Sequence, residues 1–139
     1  MDADDKMFPT RLEEQVAVLD ADINIKICAS YMQLMGGTEI YNSGIQGIIH
    51  PFVHLLLLGN FIAHPTVMLR TDYIRTHQLK YSPEYIYAED YQLWAEIACL
   101  GGALYVIPQP LIEYHISKTS PRATFSRRRH WESVKSFGI

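Results

Sequence analysis

The sequence predicts one α/β domain, and three observations carry that expectation. Segments of helical and of strand periodicity alternate along the chain. Its 139 residues, 48% of them hydrophobic, suffice to bury one core of ordinary size. Residues 87–94 place two adjacent acids, Glu89 and Asp90, at the head of an apolar run that continues through Ile97, Ala98 and Leu100 to Gly101. Carboxylates in a first turn are favoured by the partial positive charge there, and Gly101-Gly102 supplies a left-handed stop. In α/β proteins such a helix mouth is where ligands bind, because its backbone N–H groups are unpaired.

Taken in order, the chain opens on the acids Asp2, Asp4 and Asp5. Residues 9–19 predict a helix with Pro9 near its first turn and Leu12, Val16 and Leu19 on one face. Residues 23–28 alternate apolar and polar and predict a half-exposed strand, extending towards Leu34 and ended by Gly36-Gly37. Residues 38–47 predict a loop, 48–58 a buried helix, and 66–70 a short interior strand. A helix over 73–77, capped by Asp72, leads through a loop to the acidic mouth. Residues 104–107 and 111–116 predict two strands separated by Pro108-Gln109-Pro110.

A net charge of -3, evenly mixed, argues against a nucleic-acid partner. The two cysteines, Cys28 and Cys99, read as core residues of a protein in a reducing, cytoplasmic compartment. The most apolar run, interrupted by His50, Pro51 and His54, falls short of the roughly 20 residues of a membrane span. The basic run Arg127-Arg128-Arg129-His130-Trp131 predicts a helical tail over 121–139, either solvated or resting on the inner face of a membrane. His50 and His54 share no third ligand at suitable spacing, so a partly buried helix face explains them better than a metal.

By residue type alone the acids admit two readings. Asp2 and Asp4 can aim hard oxygens at a divalent cation, or the acidic run can be solvated and cap the helix that follows. Glu89 and Asp90 can do acid–base chemistry, or simply favour the helix dipole.

The ordered set Asp2-Ala3-Asp4-Asp5, Pro9-x-Arg11-Leu12-Glu13-x-Gln15, Asn60-Phe61-Ile62-Ala63-His64-Pro65-Thr66-Val67-Met68, Ala88-Glu89-Asp90-Tyr91-x-Leu93-Trp94 and Ile107-x-x-Pro110-Leu111-x-x-Tyr114 resembles the family 2 glycosyltransferases of GT-A fold. The resemblance covers residues 2 to about 120. It implies the C-terminal portion of a Rossmann-like GT-A sandwich, a partial domain over 1–120 whose N-terminal nucleotide-binding half is missing. It further implies inverting transfer of a sugar from a nucleotide-diphosphate donor to a glycan or lipid-linked acceptor, with Mg²⁺ or Mn²⁺. By resemblance Asp4 holds the metal, Asp2 lies at the ribose or the metal, and Asp5 caps the turn. Asp90 is then the general base, Glu89 and Trp94 meet the acceptor, and His64 lies near the donor sugar. Where the family often has Tyr-Arg-x-His, this chain has Tyr114-His115-Ile116-Ser117, which puts that segment's contact with metal or phosphate in doubt. The Gln-x-x-Arg-Trp signature of processive synthases is absent, so a single-addition transferase is the nearer relative.

A missing half implies that the 139-residue chain turns over little by itself. It also implies an uncovered strand edge near residues 66–70, through which a homo-oligomer, most simply a twofold dimer, would form. The alternative is a non-catalytic remnant or interaction module that keeps the fold's core.

Overall fold

The computed structural model describes residues 3–115. Asp2 and the basic tail lie outside them. The described residues form a mixed six-stranded sheet with helices on both faces.

Two long strands make its centre. β2 (Ile25–Leu34) runs parallel to β6 (Ala103–Tyr114), and four short strands border this pair, all antiparallel to their neighbours. β1 (Lys6–Met7) and β4 (Gly47–Ile49) flank β6 at its two ends. β3 (Ile40–Tyr41) and β5 (Met68–Leu69) flank β2 in the same way. The expected half-exposed strand at 23–28 is instead the buried centre of the sheet, with Ile27 and Cys28 at 0% exposure. The expected interior strand at 66–70 is the two-residue β5, half-buried at the sheet's border with β2 as its partner.

The predicted strands on either side of Pro108-Gln109-Pro110 are one strand. β6 continues through the prolines, and the register with β2 shifts between Ile107 and Pro110. A proline cannot donate to a ladder, so the irregularity falls where no N–H is needed.

Side chains alternate across β6 as a strand requires. Ala103 and Ile107 face α1 (Arg11–Ala21) in one cluster with Leu19, Ile25, Cys28 and Leu111. Leu104 and Val106 face the other way, into a larger cluster with Ile27, Phe52, Leu93, Trp94 and Ile97. The second cluster is roofed by α2 (Val53–Leu56) and α4 (Glu89–Cys99).

α1 and α4 form where the sequence predicts them, but the buried face of α1 is not the expected one. Leu12 and Val16 are exposed at 51% and 46%, whereas Arg11 and Gln15 are buried with Leu19. The run 48–58 is likewise no single helix. Its first residues belong to β4, Pro51 interrupts it, and only Val53–Leu56 is helical. His50 and His54 are both exposed, so they line no partly buried helix face. Cys99 is exposed too, while burial pushes the Cys28 thiol up to about 12 and keeps it a core residue.

α4 stops as the double glycine implies. Gly101 adopts φ +80°, and its N–H and that of Gly102 close on the carbonyls of Ala98 and Ile97 at 3.1 and 2.9 Å. A Cβ on Gly102 would stand 2.7 Å from Ile97 Cγ2, so helix and strand meet too closely there for any side chain. This tight link turns the chain directly from α4 into β6. The mouth of α4 therefore faces the carboxyl-terminal side of the parallel pair, the side on which open α/β sheets bind ligands.

Candidate functional site

Glu89 and Asp90 form the first turn of α4, and no side chain caps the helix at Ala88. Asp90 meets part of that need itself. Its Oδ1 accepts the Tyr91 N–H at 2.8 Å, and its Oδ2 accepts from Asn60 Nδ2 at 3.3 Å. Asn60 is fixed in turn, because its Oδ1 accepts the Ile62 N–H at 3.3 Å. The Tyr91 hydroxyl donates to the Leu56 carbonyl, which ties the mouth of α4 to the end of α2. Asp90 is thus a half-buried carboxylate with both oxygens oriented.

His64 and Tyr81 stand beside it. The Tyr81 hydroxyl and His64 Nε2 share a hydrogen bond at 3.0 Å, and the two rings meet edge to face. Burial raises the Tyr81 pKa, and the negative charges of Asp90 and Glu89 raise it further. The phenol is therefore protonated at neutral pH and lies within electrostatic reach of both acids. The His64 ring also lies 6.2 Å from that of Trp94. Trp94 itself is fully buried, with an indole N–H that finds no partner among the described residues. Its ring underlies His64 in the core rather than facing solvent.

The acidic run at the chain's start is placed by β1. Pairing of Lys6 and Met7 with Glu113 and Ile112 brings Asp4 and Asp5 to the last described residue of the strand's exit, His115. His115 Nδ1 lies 2.8 Å from Asp4 Oδ2, and the His115 N–H donates to Asp5 Oδ1 at 3.1 Å. The bond with His115 is the main cause that lowers the pKa of Asp4, followed by a backbone hydrogen bond. The reading of these acids as a helix cap does not hold, since the N-cap of α1 is Thr10 and no side chain bonds there. Asp5 is 8% exposed and its Oδ1 accepts the His115 N–H across the sheet.

A buried polar network links the two groups. Burial lowers the pKa of Arg11 and the charge of Asp5 partly offsets it, so the two are electrostatic neighbours. Arg11 donates through Nε to Gln15 Oε1 at 2.9 Å and through a terminal nitrogen to the Pro65 carbonyl at 3.1 Å. Gln15 Nε2 donates to the carbonyls of Cys28 and Thr66 at 3.0 and 2.8 Å. The Thr66 hydroxyl donates to the Ala63 carbonyl and accepts the Ser30 N–H. The turn that carries His64 is therefore anchored to α1, the helix that follows the acids.

Of the residues singled out by sequence, the fold gathers His64, Glu89, Asp90 and Trp94 at one mouth, and Asp4 at the end of β6. Asp2 lies outside the described residues. Tyr81 carries no sequence signal, Asn60, Arg11 and Gln15 stand in the motifs without a role, and His115 stands where the family often has arginine. Among the described residues no group of three or more His, Cys, Asp or Glu is arranged to hold a metal ion. No helix among them is long and apolar enough to cross a membrane.

No family model matches the chain. It is 29% identical over 145 aligned positions to an uncharacterised glycosyltransferase of Haemophilus influenzae, covering 97% of this chain and 45% of that protein. It is 21% identical over 150 positions to an uncharacterised glycosyltransferase of Methanocaldococcus jannaschii, covering 99% of this chain and 51% of that one. The chain thus spans about half the length of these curated relatives.

Proposed function

We propose that the chain belongs to a family 2 glycosyltransferase of GT-A fold, and that it carries the leaving-group and acceptor sides of the site. The observation that carries this reading is Asp90: a carboxylate fixed through both oxygens at a helix mouth, with His64 and Tyr81 beside it. In an inverting transfer the acceptor hydroxyl attacks the anomeric carbon from the face opposite the diphosphate, and a carboxylate removes its proton as the bond forms. Asp90 is that base. It stands at the positive end of α4, and Glu89 orients the acceptor hydroxyl. Asn60 holds the carboxylate in position. Tyr81 fixes the His64 ring, which meets the donor sugar, and Trp94 supports that ring from below.

This reading puts a divalent cation at the end of β6. Asp4 offers a hard oxygen and His115 an imidazole nitrogen within 2.8 Å of each other, with Asp2 two residues away in sequence. Asp4 and His115 would hold the ion, and an imidazole nitrogen would suit Mn²⁺ better than Mg²⁺. When bound, the ion supplies Lewis-acid stabilisation of the departing nucleoside diphosphate.

The test is turnover by the full-length polypeptide with a panel of nucleotide sugars, read as nucleoside diphosphate released with Mn²⁺ and after chelation. One donor class should be consumed with inversion, and chelation should slow it by about a hundredfold or more, as expected for loss of several kcal/mol of charge stabilisation. Turnover indifferent to chelation would remove the metal from the reading, and retention of configuration would remove Asp90 as base.

A further inference from the structure

In a neutral imidazole one ring nitrogen carries the proton and donates while the other accepts, and the bond the ring already makes decides which is which. In His64 that bond is at Nε2, to the Tyr81 hydroxyl at 3.0 Å. A phenol is the stronger acid of such a pair and an imidazole nitrogen the stronger acceptor, so the hydroxyl donates to Nε2 and the ring proton resides on Nδ1. Burial and the charges of Asp90 and Glu89 hold the phenol proton in place, which keeps Tyr81 a donor at neutral pH. Free histidine prefers the opposite form, with its proton on Nε2. Tyr81 therefore works against the ring's own preference.

Two separately fixed turns make this contact. The turn that carries His64 is tied to α1 through the Gln15 bond to the Thr66 carbonyl, and the Thr66 hydroxyl closes it on Ala63. Tyr81 follows α3 (Thr71–Thr76), beyond which Gln78 adopts φ +53° and the N–H groups of Gln78 and Leu79 close on the carbonyls of Arg75 and Ile74. On its other side Ser82 accepts the Glu84 N–H through its hydroxyl and the Tyr85 N–H through its carbonyl, each at 3.3 Å. The rings of Tyr81 and His64 meet at 78°, with centroids 5.9 Å apart, so the plane of the imidazole is set along with its bonded nitrogen. Nδ1 makes no hydrogen bond among the described residues, and the His64 side chain is open to solvent.

We propose that Tyr81 is a positioning residue that fixes His64 as the Nδ1–H tautomer, so that the imidazole donates a hydrogen bond to an oxygen of the nucleotide sugar. This rests on the reading of His64 as a residue that meets the donor, and it names the atom and the direction of the bond. A phosphate oxygen only accepts, and a ring held the other way round would turn a lone pair towards it. The tautomer thus governs how well the donor binds, whereas proton removal from the acceptor stays with Asp90.

The experiment records the ring nitrogen chemical shifts of His64 in the ligand-free full-length protein, at a pH above the ordinary imidazole range, with His64→Gln to identify its signals. The parent should carry the proton on Nδ1. Tyr81→Phe, which keeps the ring and loses only the hydroxyl, should move the proton to Nε2 and leave the unfolding temperature nearly unchanged. The Kd of the nucleotide sugar that the turnover panel identifies should rise about threefold to tenfold in Tyr81→Phe, because only its minor tautomer is then competent, and kcat should change less. An equal rise for the nucleoside diphosphate alone assigns the accepting oxygen to a phosphate; a rise confined to the nucleotide sugar assigns it to the sugar. A parent with the proton on Nε2, or a tautomer that Tyr81→Phe leaves in place, overturns the inference. So does a proton that moves while nucleotide-sugar affinity stays the same. The tautomer is read without ligand, so it can fail while the transferase reading, tested by nucleotide-sugar turnover, stands.

Discussion

Asp90→Asn is expected to lower kcat by roughly 10²–10⁴-fold while donor affinity stays within about twofold of the parent. The substitution keeps shape and keeps an oxygen for the Tyr91 N–H, but removes the only group on that carboxylate able to accept a proton. Donor binding does not involve that proton, so the loss falls on the transition state rather than the ground state. Steady-state kinetics with a separate measurement of donor Kd resolves the two. A variant that retains near-parental kcat makes Asp90 a first-turn acid and nothing more. Unfolding should change little, because the amide keeps the side chain's shape and an oxygen for the Tyr91 N–H and gives up at most the bond from Asn60.

The largest effect on stability is expected from Gln15→Leu, a swap of similar volume that preserves helix propensity. Gln15 is fully buried and makes three hydrogen bonds, two donated to carbonyls and one accepted from Arg11. Leucine would strand the Cys28 and Thr66 carbonyls and one guanidinium N–H in the interior. At roughly 1–3 kcal/mol per stranded group, less whatever relaxation recovers, the loss is about 3–5 kcal/mol. Thermal unfolding should report a fall of roughly 10–20 °C for a domain of this size. A loss below about 1 kcal/mol would mean that the network is decorative and the His64 turn is held by other contacts.

The same glutamine explains where the sequence misleads. A period of 3.6 identifies α1, and two acids with two glycines identify α4 with its correct stop. The buried face of α1 is chosen by partners far along the chain: Pro65 and Thr66 are reached by Arg11 and Gln15 across 54 and 51 residues. Without those carbonyls in view, Leu12 and Val16 look like the core face. The run 48–58 fails for a related reason, because a short apolar stretch fits strand and helix alike until β6 claims part of it as β4. The prolines of β6 read as a break, yet a long strand pinned along β2 carries them as an irregularity. For the site, motif order picks out His64, Glu89 and Asp90, and the fold sets all three near Tyr81. Tyr81 and Asn60 could not be assigned, since their importance lies wholly in tertiary neighbours. His115 carries one available signal: a titratable, metal-competent side chain at a position where the family's pattern has a basic residue.

In the proposed site, the Asp4–His115 pair and the Asp90–His64 group form two sides of one nucleotide-sugar pocket. A crystal structure of the full-length polypeptide with Mn²⁺ and the nucleoside diphosphate of its preferred donor tests it most directly. The ion should be bound by Asp4 and His115, with the diphosphate beside it and its terminal phosphate directed towards His64 and Asp90. An ion held elsewhere, or a diphosphate whose terminal phosphate points away from Asp90, would contradict it.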